Sequence, residues 1–206
     1  LPQDVTFDPA TESGVQVGDN SVIREYVTLN RATRPGESTC VGRNCYLMAS
    51  SHLGHDCSIG DEVILANAVL LAGHVHVEKQ VFFGGAAAVH QFVRIGQGSM
   101  IGGHASLSRD VPPYCMVVER DQLVGLNRVG LRRRSIPSDR VAELKEAFRQ
   151  VFERRGGERT RALAILESGR YHAREALAFL EFFRDGKRGF VRIGPKSESD
   201  EAEMGA

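Results

Sequence analysis

Every sixth residue from Val41 to Leu107 is aliphatic or aromatic: Val41, Leu47, Leu53, Ile59, Leu65, Leu71, Val77, Phe83, Val89, Ile95, Ile101 and Leu107. No other feature constrains the chain as strongly, because so short and regular a period demands a repetitive scaffold. Two residues ahead of each rung stands a second, mostly small or β-branched residue: Thr39, Cys45, Ser51, Cys57, Val63, Val69, Val75, Val81, Ala87, Val93, Ser99 and Ala105. An offset of two places both side chains on one side of an extended strand, so both columns are expected to face inward. Gly or Ala often follows the rung, as at Gly42, Gly54, Gly60, Ala66, Ala72, Gly84, Gly96 and Gly102, and suits a tight corner. Helical spacing is absent from this stretch. Short strands with a corner every six residues describe an all-β parallel β-helix of triangular section, in which residues 18 apart stack about 4.8 Å from one another.

The same phase runs earlier through Val17, Ile23 and Leu29 and breaks at "RATRPGESTC", residues 31–40, which reads as a loop insertion thrown out from one corner. It ends at "RDVPPYCM", where Pro112 and Pro113 cannot donate ladder hydrogen bonds. Residues 1–114 are therefore expected to form the β-helix domain. Residues 115–192 are expected to form a small C-terminal α-helical domain. There Val141, Leu144, Phe148, Val151 and Phe152 make one helical stripe, with Ser138 as candidate N-cap after Pro137. "RALAILES" follows Gly156 and Gly157 as a second helix, and Ala173, Ala176, Leu177, Leu180 and Phe183 mark a third. The polar, acidic tail 193–206 is expected to be disordered.

A chain of 206 residues with 26 basic and 26 acidic side chains offers no global electrostatic argument for nucleic acid. Cys40, Cys45, Cys57 and Cys115 lack CxxC spacing and suggest free thiols in a reducing compartment; Cys45 and Cys57 fall in the inward column, which favours packing over nucleophilic catalysis. No apolar run reaches membrane-spanning length and no signal peptide opens the chain, so a soluble cytoplasmic protein is expected. The opening "LPQDVTFDPATES" has no initiator Met and reads as the inside of something larger.

Stacking arithmetic gives the histidines of "SSHLGHDCSIGDEVILANAVLLAGHVHV" a geometry. His55, Gly73 and Gln91 are successive members of one column, Asp56 and His74 belong to the next, and His90 directly precedes Gln91. Solvated corner residues would need no such convergence of imidazoles, a carboxylate and an amide. Metal binding is one functional account, although His52 and His55, three apart on an extended coil, point differently and spacing fixes no third and fourth ligand. Acid–base catalysis needs less: an imidazole, a group to orient it and a donor for an oxyanion, which His55, Asp56 and the Gly73 N–H supply. His76 and His104 lie at other phases and read as ordinary surface or interface residues, and His172, in the helical part, receives no role. Arginines gather in "GLRRRS" at 130–135 and at 140, 149, 154, 155, 159 and 161. They form a solvated face or a dock for an acidic partner or a phosphorylated ligand.

"HLGHDCSIGDEVILANAVLLAGHV", "GGAAAVHQFVRIGQGSMIGG", "DVPPY", "GLNRVGLRRR" and "FFRDGKRGFVR" together resemble the acyl-carrier-protein-dependent UDP-N-acetylglucosamine O-acyltransferase family, which begins lipid A synthesis. The resemblance extends through residue 192. It implies a left-handed parallel β-helix, a departure from the usual right-handed crossover, assembled as a homotrimer with active sites between subunits. It implies that His55 is the general base for the sugar 3-hydroxyl, that Asp56 orients it, and that the Gly73 N–H stabilises the tetrahedral oxyanion. His52, His74, His90 and Gln91 match positions that contact the sugar nucleotide or the acyl arm. Asn127, Arg133 and Arg134 match a stretch reaching the nucleotide diphosphate from a neighbouring subunit. Asp4 matches a substrate-contacting acid, and Gly103 lies where the family sets acyl length. The implied partners are acyl carrier protein and a sugar nucleotide. No cofactor is implied beyond the carrier's phosphopantetheine, and no metal.

The sequence departs from the family pattern at Thr6, where a Lys is usual, and is expected to lack the family's N-terminal coils, so the first coil is expected to present an unpaired end. Three other readings stand beside the O-acyltransferase: an N-acyltransferase acting on a 3-amino sugar nucleotide, a non-catalytic trimeric scaffold, and a metal-dependent hydratase on the same β-helix.

Overall fold

The computed structural model describes residues 7–154 and 156–194. Most of them wind into a left-handed parallel β-helix whose three flat faces are parallel sheets. The first face stacks Gly14–Val17, Ser38–Val41, Ser58–Ile59, His76–Val77 and Arg94–Ile95. The second begins with Val22–Ile23 and Tyr46–Leu47, and the third with Thr28–Leu29 and His52–Leu53. Partners in adjacent coils are 18 apart, as in His76↔Arg94 and Phe82↔Met100. All twelve rungs from Val41 to Leu107 are at most 3% exposed, and the residues two places ahead of them are equally buried, so both columns do face inward.

The glycines that follow the rungs have a different cause from the one expected. Left-handed backbone falls two residues later, at Ser50, Asp56, Glu62, Ala68, His74, Gln80, Ala86 and Phe92, with φ between 56° and 65°. The post-rung position is where consecutive coils come closest. A Cβ on Gly42 would lie 2.5 Å from the Gly60 carbonyl carbon, and one on Gly54 would lie 2.6 Å from the Gly73 nitrogen. Steric exclusion between coils, not backbone conformation, selects glycine there.

The first coil pairs with the second at a spacing of 24, as in Val22↔Tyr46 and Thr28↔His52. The extra length is thus one repeat, carried ahead of Ser38, because Ser38–Val41 already forms a strand of the first face. Val17 and Ile23 on that first coil are more than 40% exposed.

Pro112 and Pro113 turn a corner without ending the sheet. Pro113 packs on Gly96, where a Cβ would sit 2.5 Å from its Cδ, and the Pro112 carbonyl accepts from the buried Ser99 hydroxyl at 3.0 Å. Cys115–Val118 then pairs in parallel with Met100–Ile101, Gln122–Leu126 folds back antiparallel, and Arg192–Ile193 joins that edge. Residues beyond 114 therefore begin by extending the second face.

Four helices follow: α1 (Arg128–Arg133), α2 (Ser138–Val151), α3 (Glu158–Glu167) and α4 (Arg174–Glu181). The stripe expected on α2 packs as read, with Leu144 and Val151 fully buried. Ser138 is the first helical residue and Pro137 the N-cap, so no side chain caps that end. α1 is too short to show a period; Asn127 caps it by accepting from the Gly130 N–H at 2.9 Å. The helices are fastened to the β-helix by Arg94. Its Nε donates to the buried Asp110 carboxylate at 2.9 Å, and Nη2 donates to the carbonyls of Phe182 (3.0 Å) and Asp185 (2.8 Å). No helix among the described residues is long and apolar enough to cross a membrane. The acidic tail beyond Gly194, Asp4 and Thr6 lie outside the described residues.

Candidate active site

The corner between the third and first faces carries His55 and Asp56 on one coil, Gly73 and His74 on the next, and Gln91 and Phe92 above them. Left-handed backbone at Asp56, His74 and Phe92 stacks their side chains in one column. His55 Nδ1 lies 2.6 Å from Asp56 Oδ2, and His74 Nε2 lies 3.6 Å from the same oxygen. The His55 and His74 rings meet edge to face at 5.0 Å, while Phe92 stacks flat on His74 at 4.6 Å. Each coil thus contributes one layer to a continuous aromatic pile resting on a carboxylate.

Asp56 is held from two further sides. The Thr33 N–H donates to Oδ1 at 2.9 Å and the Thr33 hydroxyl to Oδ2 at 2.7 Å, both from the inserted loop. Its own N–H donates to the hydroxyl of Thr39, a polar member of the inward column. Burial opposes ionisation of Asp56, but the bonds from His55 and Thr33 and the nearby His74 outweigh it and hold the carboxyl below its ordinary range. An ionised Asp56 only accepts, so His55 Nδ1 carries the proton and Nε2 presents its lone pair. Burial also pushes His74 and His52 below the usual imidazole value, which leaves both neutral near pH 7.

Nε2 of His55 faces Gly73. A Cβ there would lie 2.6 Å from His55 Cε1 and Nε2, so the glycine is what leaves room for the ring. The Gly73 N–H donates to no carbonyl or side chain among the described residues. Gly73→Ala is expected to displace the imidazole and lower turnover about tenfold or more with an unchanged melting temperature; steady-state rates beside a thermal melt check it.

The other expected site residues are placed more widely. His52 stands on the third face, its Nδ1 2.7 Å from the Thr28 hydroxyl and its Nε2 buried without a partner among the described residues. His90 and Gln91 are engaged by Arg188, whose Nη2 reaches His90 Nδ1 at 2.7 Å and whose Nε donates to the Gln91 carbonyl at 3.0 Å. Gly103 occupies the corner between the second and third faces, stacked on Gly85. Arg133 lines a cleft of about 430 Å³ on the second face with Ile64, Phe82, Met100 and Met116. Arg134 beside it donates to the Gln80 carbonyl at 2.7 Å. The Asn127 amide is occupied at both ends, capping α1 and donating to the Gly98 carbonyl at 2.9 Å. Cys45 and Cys57 are buried, and burial pushes the Cys57 thiol up to about 12, in line with packing.

Thr33, Phe92 and Arg188 were not among the expected residues. Phe92 was within reach, since it is the next member of the Asp56–His74 column. Thr33 depends on a register broken by the insertion, and Arg188 lies 98 residues from its partner. His55, Asp56 and His74, grouped by the stacking arithmetic, also bring three ligand-capable atoms within 4.8 Å of one another. Both Asp56 oxygens already accept hydrogen bonds from Thr33, so an ion would share this carboxylate with that loop.

The triangular β-helix of six-residue repeats is the scaffold of a hexapeptide-repeat acyltransferase, the class to which its relatives assign the chain. Residues 110–191 match the family model described as UDP N-acetylglucosamine O-acyltransferase, domain 2. An acyl-(acyl-carrier-protein)–UDP-N-acetylglucosamine O-acyltransferase of Anaeromyxobacter sp. (strain K) is 38% identical over 194 residues, 93% of this chain and 75% of that protein. Solved UDP-N-acetylglucosamine acyltransferases from Campylobacter jejuni (TM-score 0.85) and Arabidopsis (TM-score 0.86) are each 35% identical. The matches cover 94% of this chain and 75% of the Campylobacter chain, and 93% of this chain and 70% of the Arabidopsis chain. The chain belongs to the UDP-N-acetylglucosamine O-acyltransferase family.

Proposed function

We propose that the chain transfers a 3-hydroxyacyl group from acyl carrier protein to the 3-hydroxyl of UDP-N-acetylglucosamine, the opening step of lipid A synthesis, with His55 as general base. One observation carries the mechanism: Asp56 takes up His55 Nδ1, which leaves the Nε2 lone pair turned toward the Gly73 backbone. Nε2 removes the hydroxyl proton as the sugar oxygen attacks the thioester carbonyl carbon, and Asp56 balances the imidazolium that forms. The carbonyl oxygen becomes the oxyanion of a tetrahedral intermediate, to which Gly73 N–H donates. Collapse breaks the C–S bond, and the departing thiolate takes the proton from Nε2. The acyl group arrives on the carrier's phosphopantetheine, and no further cofactor enters.

Arg133 lies against the second face and Gly103 at the corner between the second and third, both away from the His55 corner. Within a homotrimer, a neighbour's second face laid against this corner would unite them, Arg133 then meeting the diphosphate and Gly103 the acyl end.

The test is transfer from 3-hydroxyacyl carrier proteins of several chain lengths to UDP-N-acetylglucosamine, with and without a chelator. The expected result is transfer that a chelator leaves unchanged. Loss on chelation restored by zinc would favour the metal reading of the His55–Asp56–His74 group, and transfer only to a 3-amino sugar nucleotide would favour the N-acyltransferase.

A further inference from the structure

We propose that Arg188 fixes the tautomer of His90, leaving Nδ1 bare and Nε2 protonated, so that His90 acts as a hydrogen-bond donor to a substrate oxygen. A guanidinium has five donors and no acceptor, so the 2.7 Å contact from Arg188 Nη2 requires a lone pair on His90 Nδ1. The Gln91 carbonyl also lies 3.2 Å from that nitrogen and would suit the opposite tautomer. Arg188 removes this alternative, because a proton on Nδ1 would meet the Nη2 donor at 2.7 Å, and the Nε bond to the Gln91 carbonyl at 3.0 Å holds the guanidinium in that place. The proton left on a neutral imidazole is then on Nε2.

The placement of Arg188 is built, not incidental. Its loop is gripped on both sides: Arg94 and Arg159 each donate to the Asp185 carbonyl at 2.8 Å, Arg159 also donates to the Gly186 carbonyl at 2.6 Å, and the Asp110 N–H donates to the Gly189 carbonyl at 2.8 Å. Gly186 (φ 101°) and Gly189 (φ 68°) give the loop its left-handed turns, and a Cβ on Gly186 would collide with Asp110 and Arg94. The C-terminal segment is therefore fastened, through Arg94, to the strand that directly follows the corner bearing His90 and Gln91. His90 itself is exposed at the corner, one coil above Gly73 and two above His55, with Phe92 N–H donating to the Gly73 carbonyl at 3.2 Å. An Nε2–H there complements a hydroxyl, carbonyl or phosphate oxygen and rejects a donor. The tautomer follows from contacts within the chain; its use toward substrate rests on the function proposed above.

The experiment records long-range nitrogen–proton correlations of the imidazoles in the intact protein labelled with nitrogen-15 histidine, with His90→Gln to assign the signal. The expected pattern is Nε2–H in the wild type and a shift toward Nδ1–H in Arg188→Ala, where no guanidinium opposes a proton on Nδ1 and the Gln91 carbonyl at 3.2 Å accepts it, while His55 keeps Nδ1–H as the internal control. Nδ1–H in the wild type, or an unchanged tautomer in Arg188→Ala, would overturn the assignment. With the tautomer moved, Arg188→Ala is also expected to raise KM for one substrate about tenfold with little change in kcat, the scale of one hydrogen bond lost from binding. An unaltered KM for both substrates would overturn the donor role. Full activity of His55→Ala would instead count against the proposed mechanism and leave the tautomer result standing.

Discussion

His55→Ala is expected to lower turnover about a hundredfold or more while the protein keeps its assembly and its melting temperature nearly unchanged. The expected size follows from losing a positioned base. Nothing at the corner replaces His55: His74 is neutral, but its Nε2 points back at Asp56 from 3.6 Å, and its ring is covered by Phe92. The fold survives because the imidazole fills no part of the inward ladder. Asp56 retains both donors from Thr33, so its carboxylate is not stranded. Because the base acts in the transition state, kcat should fall and KM should hold, a split that separates this outcome from a binding defect. Initial rates over a range of both substrates, together with the oligomeric mass, decide it. Near-normal rates in a correctly assembled variant would remove His55 from the mechanism.

Asp110→Ala is expected to cost about 3–5 kcal/mol of stability, the scale for stranding one partner of a buried ion pair. The Asp110 side chain is 1% exposed and accepts from both the N–H and the guanidinium of Arg94, whose own side chain is only 23% exposed. Its backbone also exchanges hydrogen bonds with Gly189 and Val191. Removing the carboxylate leaves Arg94 charged and half-enclosed at the seam between the β-helix and the helices. A melting temperature lower by about 10 °C follows from the usual scaling for a chain of this length. Arg94→Met combined with Asp110→Leu should recover part of the loss, since no unpaired charge then remains. A single variant melting within about 2 °C of the wild type would show that the seam does not depend on this pair.

The ladder made the scaffold legible because its physical demand is periodic: each rung must be apolar, and each residue two places ahead must fit the same interior. Asp56 and His74 were legible for a related reason, since the constant 18-residue coil converts sequence distance into contact. Chemistry borne by residues outside that rule was hidden. Thr33 reaches Asp56 from an insertion that shifts the register to 24, and Arg188 returns from the far end of the helical region. Phe92 obeyed the rule and was passed over because a search for titratable groups does not weigh a phenyl ring. Asn127, a polar residue in a matching stretch, has a local role the spacing did not show, its amide capping a helix and donating to a neighbouring carbonyl. The post-rung glycines illustrate a sequence signal with two physical causes, of which only the structure distinguishes the nearer one.

The fixed coil length turns the distance between groups on this enzyme into a screw displacement. Adding 18 residues between His74 and His90 would raise everything beyond by one strand spacing, about 4.8 Å, and leave its heading unchanged, whereas adding one six-residue repeat would swing it through a third of a turn. Arg188 would remain on His90 in either case, because both lie on the displaced side, but His90 would part from His55. The dimensions of a pocket built along such an axis change only in discrete steps, and the fine adjustment falls to the elements that leave the screw: the loop bearing Thr33 and the returning strap bearing Arg188.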